Sequence, residues 1–213
     1  EEMEGVPHHL IDVLEPWEPF NVAVFQRMAR EAVADIQSRG KLPIIAGGTG
    51  FYIQALLYDI DFQETEEVPE IRRELERLGA ERGADYLHRM LQEVDPEAAE
   101  AIHANNQKRV IRAIEYFRLT GEKISVHNES ERRKASPYDF LYYVVTMDRQ
   151  ALYGRIDLRV DRMVEAGILP EAEYVWNHRD RFRTAAQAIG YKEFFPYFEG
   201  TGTLERCTDK LKQ

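Results

Sequence analysis

Leu42-Pro43-Ile44-Ile45-Ala46-Gly47-Gly48-Thr49-Gly50-Phe51-Tyr52-Ile53-Gln54-Ala55-Leu56-Leu57 reads as a short strand, a glycine turn and a helix. Leu42 to Ala46 is apolar on both faces, the pattern of a strand in a covered parallel sheet. Gly47, Gly48 and Gly50 can take φ > 0 and let the backbone approach a ligand closely. Phe51, Ala55, Leu56 and Leu57 then fall at helical spacing. A helix N-terminus at a strand's carboxyl end is where open α/β sheets bind ligands, often anions. The stretch has no Gly-Lys-Ser/Thr ending, so it is not itself a phosphate-binding P-loop. On spacing alone, an anion site and a plain tight strand-to-helix turn both stay open.

Upstream, Pro7 favours an extended entry and His9 to Val13 has strand character. His8 and His9 are adjacent on that strand and would face opposite ways, which disfavours their ligating one metal ion. Asn21 suits a helix N-cap. Val24, Phe25, Met28, Ala32 and Ile36 follow as an apolar stripe, and Gly40 ends the helix. Residues 9–57 therefore read as strand, helix, strand, helix, the order of a parallel α/β core.

Downstream the composition changes. Asp59 to Val68 is acidic and without helical period, as a linker would be. Pro69 to Leu119 is rich in helix formers, broken at Gly79, Gly83 and Asp95-Pro96, with Asp95 as N-cap and Pro96 at the first helical position. Residues 128–137 read as a polar return linker. The expected organisation is an α/β core from residues 1–59 and 137–213, with an all-helical insertion over 60–136. Asp139 to Met147 resumes a strand pattern, β-branched and aromatic. A helix over Arg149–Ala166 closed by Gly167, a shorter one over Glu171–Asn177 and a last one over Leu204–Lys212 complete the chain.

The chain has 213 residues, 44% of them apolar, enough for a sizeable core. A single cysteine, Cys207, excludes an intrachain disulfide and a cysteine-rich zinc site, and fits the cytoplasm. No apolar run approaches a membrane span. The net charge of −10 argues against a generally basic nucleic-acid coat. It leaves room for a local basic groove, because a small cluster dominates within a Debye length. No initiator Met precedes Glu1 and Gln213 ends a Lys-rich run without a cap, so an interior portion of a longer protein is expected.

Two basic constellations carry chemistry. Arg155, Arg159 and Arg162 lie at i, i+4 and i+7 on one helix face. Neither Arg155 nor Arg159 has a carboxylate three or four residues away. Arginine cannot shed its charge, so the pair invites an external anion such as a diphosphate, or an acidic partner from elsewhere in the fold. Lys108, Arg109 and Arg112 form a second cluster, in which only Arg112 has a local acid, Glu115. Val110, Ile114 and Phe117 on the same helix form a core stripe. This pattern suits either a helix lying on nucleic-acid backbone or an ordinary exposed face. Gln187-Ala188-Ile189-Gly190-Tyr191-Lys192 joins a glycine to an aromatic and a base, as a nucleotide-holding segment or a turn would. Cys207 has no base beside it and is not expected to act as a nucleophile.

In order along the chain, Pro7-His8-His9-Leu10-Ile11-Asp12, Gly47-Gly48-Thr49 with Phe51-Tyr52, the Arg-x-x-Arg-Ala-x-Glu of Arg109 onward, Arg155 to Gly167 and Ile189-Gly190-Tyr191 resemble the tRNA dimethylallyltransferases, also called tRNA isopentenyltransferases. The resemblance covers nearly the whole chain. It implies transfer of a dimethylallyl group from dimethylallyl diphosphate to N6 of adenosine 37 in tRNA. It also implies a P-loop NTPase-like parallel-sheet core, a helical insertion gripping the anticodon stem-loop, and Mg²⁺ on the leaving diphosphate. By motif, Thr49, Arg72, Lys108 to Arg112 (Lys108, Arg109, Val110, Ile111, Arg112) and Gln187 to Lys192 match tRNA-contact positions, and Arg159 matches a diphosphate-binding arginine. Gly47, Gly48 and Gly50 become a wall of the reaction channel. A cytoplasmic monomer without membrane contact is expected.

The family's P-loop and its general-base aspartate lie before the matched segments and are missing from this sequence. This chain is therefore expected to supply no metal ligand, and by itself to bind RNA weakly and not turn over. The competing readings are a tRNA-binding module without catalysis and a small-molecule kinase with the same core.

Overall fold

The structure, a computed structural model, describes residues 3–62, 69–182 and 184–213. In chain order the helices are α1 (Val22–Ser38), α2 (Gly50–Leu57), α3 (Pro69–Arg82), α4 (Ala84–Val94), α5 (Pro96–Ala101) and α6 (Gln107–Thr120). They continue with α7 (Ile124–Arg132), α8 (Arg149–Glu165), α9 (Ile168–Asn177), α10 (Phe195–Phe198) and α11 (Leu204–Lys212). The chain divides into two compact units, Glu1–Pro43 with Phe140–Gln213, and Ile44–Asp139. The glycine turn and α2 thus group with the helical part. Most of the expected linker, residues 63–68, lies outside the described residues.

Local chemistry explains the helix boundaries. Asn21 Oδ1 accepts from Val24 N–H (3.0 Å) and starts α1. Asp95 starts α5 with Pro96 behind it, Thr203 starts α11, and Asp148 accepts from Gln150 and Ala151 N–H to start α8. Gly167, at φ 95°, turns the chain from α8 into α9.

The unit Ile44–Asp139 is built on Leu75 of α3, Leu87 and Leu91 of α4, Ala98 and Ala99 of α5, and Val110, Ile111, Ala113 and Ile114 of α6. α3 lies close on α4 because Gly79 has no side chain: a Cβ there would sit 2.8 Å from Leu87 Cδ1. The buried Asp95 carboxylate accepts from Ala98 N–H (3.1 Å), Ser125 N–H (2.9 Å) and Ser125 Oγ (2.7 Å), joining the start of α5 to the start of α7. The chain's entry to and exit from the helical bundle meet. Asp61 N–H donates to Glu131 Oε2 (2.7 Å), and Ser136 Oγ donates to the Leu57 carbonyl (2.5 Å).

In the other unit, Ile168 and Ala172 of α9, Phe194 just before α10, and Cys207 of α11 form the core, with Met163 and Val164 of α8 packed against it. Val175, Phe182 and Ala186 make a smaller cluster beside it.

No strand is present among the described residues, so the expected parallel sheet is not seen there. Residues 41–47 and 139–148 carry neither helix nor strand, and most of their apolar side chains are exposed: Leu42 is 83% exposed and Val145 93%. A parallel strand is stable only with hydrogen-bonded neighbours and a layer over each face.

Candidate functional site

α6 presents its basic residues outward because its other face is committed to the core. Lys108, Arg109 and Arg112 are exposed, while Val110 and Ile111 are buried. The side chains of Val110 and Ile111 belong to the core of this unit, so within Lys108 to Arg112 the exposed side chains are the three basic ones. Lys108 and Arg109 make no ion pair with a described residue.

The structure brings Arg72 and Arg112 together, from helices far apart in sequence. Arg72 Nε donates to Glu115 Oε1 (3.1 Å) and Nη2 to Oε2 (2.6 Å); Arg112 Nη1 donates to the same Oε2 (3.3 Å). The Glu115 side chain is only 4% exposed, yet Arg72 and Arg112 are 44% and 46% exposed. Glu115 is the member that sequence reasoning passed over as a mere local partner of Arg112. Its link to Arg72, 43 residues away, has no local signal.

Thr49 stands at the N-terminus of α2 and its hydroxyl makes no capping hydrogen bond; only its carbonyl is used, by Tyr52 and Ile53 N–H. Gly47, Gly48 and Gly50 do not take positive φ, and a Cβ at any of them would meet nothing within 4 Å. Within this unit the turn is open, and the glycines' expected conformational role is not used.

In the other unit, α8 carries Arg155, Arg159 and Arg162 on one exposed face, and none of the three pairs with a described carboxylate. The segment Gln187–Lys192 packs against the same helix. A Cβ at Gly190, whose φ is 104°, would lie 3.7 Å from Met163 Cε and 3.6 Å from Ile168 Cδ1. Gly190 N–H donates to the buried Glu193 Oε2 (2.8 Å), fixing the turn. Tyr191 Oη donates to Glu171 Oε1 (2.6 Å); burial, together with that carboxylate acceptor, pushes its phenol up to about 12. Ile189 is left 80% exposed at the tip, with Gln187 and Lys192 exposed on either side and Ala188 half-buried. Residues 187–192 thus meet Met163 of α8 at Gly190, with Tyr191 packed against the same core, and α8 is the helix that also carries Arg159.

Among the described residues no group of three or more His, Cys, Asp or Glu side chains could hold a metal ion, and no helix is long and apolar enough to cross a membrane.

Comparison with known proteins gives these surfaces a setting. The family model described as IPP transferase matches residues 1–213. A curated tRNA dimethylallyltransferase of Lachnoclostridium phytofermentans is 53% identical over 214 residues, covering 100% of this chain and 68% of its own length. Its counterpart from Bacillus licheniformis is 48% identical, with 100% and 68% covered. The crystal structure of the tRNA isopentenylpyrophosphate transferase of Bacillus halodurans is 43% identical, with a TM-score of 0.64, over 99% of this chain and 65% of that one. A eukaryotic dimethylallyltransferase solved acting on tRNA aligns with a TM-score of 0.79 at 29% identity, over 99% of this chain and 54% of that one. The chain thus spans about two thirds of the length of its bacterial relatives. With a family model matched from end to end and half its residues shared with curated members, the chain belongs to the IPP transferase family.

Proposed function

We propose that the protein transfers a dimethylallyl group from dimethylallyl diphosphate to N6 of adenosine 37 in tRNA. The observation that carries this reading is the row Arg155, Arg159 and Arg162 on α8, exposed and without a described carboxylate partner, in a chain whose curated relatives are tRNA dimethylallyltransferases. When the adenine amine attacks the allylic carbon, the carbon–oxygen bond to diphosphate breaks and charge collects on the departing oxygen. A fixed guanidinium stabilises that charge more than it stabilises the bound substrate, which is what accelerates the step. Arg159 takes this role. The target base leaves its stack to be reached, as enzymes acting on bases require.

The remaining surfaces divide the RNA between them. Arg72, Lys108, Arg109 and Arg112 meet phosphates of the anticodon stem-loop, gripped by the helical insertion over 60–136. Thr49 offers its uncommitted hydroxyl to the nucleotide, beside the open turn of Gly47, Gly48 and Gly50. Gln187 to Lys192 present an exposed tip next to α8. Phosphate contacts of this kind position the RNA, and base contacts specify it.

The P-loop-type parallel-sheet core belongs to the same proposal. Its support is the composition of residues 42–46 and 140–145, apolar throughout, whose exposed side chains only a covering layer would remove from water. Mg²⁺ on the diphosphate is expected of this chemistry, where it would neutralise charge on the leaving group; among the described residues no group of three or more His, Cys, Asp or Glu side chains could hold it. A cytoplasmic monomer completes the reading. Incubating the intact protein with tRNA and dimethylallyl diphosphate, then digesting to nucleosides, tests it by mass spectrometry. The expected product is N6-dimethylallyl adenosine; unmodified adenosine alone would contradict the reading.

A further inference from the structure

We infer that Glu115 is a positioning carboxylate that holds Arg72 of α3 and Arg112 of α6 side by side as one composite binding element for the phosphodiester backbone of RNA. The inference rests on the tRNA-binding reading above and adds to it a residue that touches no RNA itself.

Three features support it. First, the Glu115 side chain is buried while both arginine side chains keep close to half their surface in solvent, so the acid anchors and the bases present. Second, Arg72 is gripped at both Nε and Nη2, which fixes the plane of its guanidinium rather than a single atom. A planar fork held along one edge cannot swing as a lysine ammonium would. Third, two arginines from different helices converge on one acid, so a single carboxylate sets the spacing of both. Lys108, one helical turn before Arg112 and without a described ion pair, extends the same basic face. A simple clasp between α3 and α6 would not need this arrangement. Arg118 of α6 and Glu74 of α3 already make such a clasp at 3.0 Å, and the two helices share an apolar core. Holding long cationic side chains in place before binding reduces the side-chain entropy lost when phosphate arrives.

The test uses the intact protein and an anticodon stem-loop RNA, with affinity measured by fluorescence anisotropy over a series of salt concentrations. Glu115→Gln keeps the shape and makes the surface one unit more positive. If only net charge mattered, the variant would bind RNA more tightly. Positioning predicts the opposite sign: about five- to tenfold weaker binding, with a shallower dependence on salt. Glu74→Gln, which breaks the neighbouring clasp, should leave affinity unchanged. Arg72→Lys keeps the charge and loses the fork, and should weaken binding as Glu115→Gln does. It serves as the deciding variant if Glu115→Gln melts. Unchanged or tighter binding by a folded Glu115→Gln, or wild-type binding by Arg72→Lys, overturns the inference. If Arg72→Ala and Arg112→Ala together leave affinity untouched, the tRNA reading of this face falls first and the role of Glu115 with it.

Discussion

Arg159 and Ile111 show how differently a residue on a functional helix can act. Arg159 is exposed on α8 without a described carboxylate partner, so its charge is available to an incoming anion. Ile111 follows two basic residues on α6, but its side chain is buried with Val110 and Ile114. Replacing Ile111 by Ala should therefore cost about 2–5 kcal/mol of stability by leaving a cavity. In conditions where the variant stays folded, its tRNA affinity should match wild type. Chemical denaturation and a binding isotherm check both halves, and a large loss of affinity without loss of stability would return Ile111 to the RNA surface. The arginine pattern of α8 was legible because an i, i+4 acid is either written nearby or it is not. The burial of Val110 and Ile111 was half legible: the core stripe already contained Val110, while Ile111 follows from the helical phase of α6. The link from Glu115 to Arg72 was not legible at all, since only folding places α3 beside α6.

At the scale of elements, the chain's punctuation matched its sequence closely. Asn21, the Asp95-Pro96 pair, Gly40 and Gly167 all stand where local chemistry puts them, because a cap is decided within four residues. The sheet differs, since pairing and covering are not local properties. Residues 42–46 and 140–145 have strand composition without a described strand partner. Asp95 joins α5 to α7 and makes that junction sensitive to acid. Burial pushes its carboxyl up, but the N–H and hydroxyl of Ser125, the Ala98 N–H and the charge of Lys123 outweigh burial and hold it below the usual carboxylate range. Glu131, buried but bonded to Lys134 and to Asp61 N–H, is lowered in the same way. A folded value below the unfolded one contributes stability that is present above the unfolded value of about 4, and lost as pH falls through the folded one. The helical unit should accordingly lose stability as pH drops below about 4. Asp95→Asn should melt earlier at neutral pH and show a flatter acid limb in circular dichroism. An unchanged limb would remove Asp95 from the account.

For the whole molecule, a net charge of −10 has to be reconciled with an RNA substrate. Screening reconciles them, since at about 0.15 M salt a charge is felt over roughly 8 Å, so the RNA meets local clusters and not the total. Arg109→Ala should lower affinity for tRNA and reduce the slope of log affinity against log salt by about one, as the loss of one phosphate contact does. An unchanged slope would make Arg109 structural. The central claim, however, is chemical: the arginine row of α8, without a described carboxylate partner, is proposed to serve the leaving diphosphate. The most direct test is single-turnover transfer of labelled dimethylallyl groups to tRNA by the intact protein and its Arg159→Ala variant, with tRNA affinity measured in parallel. The account predicts a rate lower by about 10²–10³-fold, as for loss of one transition-state charge donor, with tRNA affinity unchanged. Transfer by Arg159→Ala at close to the wild-type rate would contradict it.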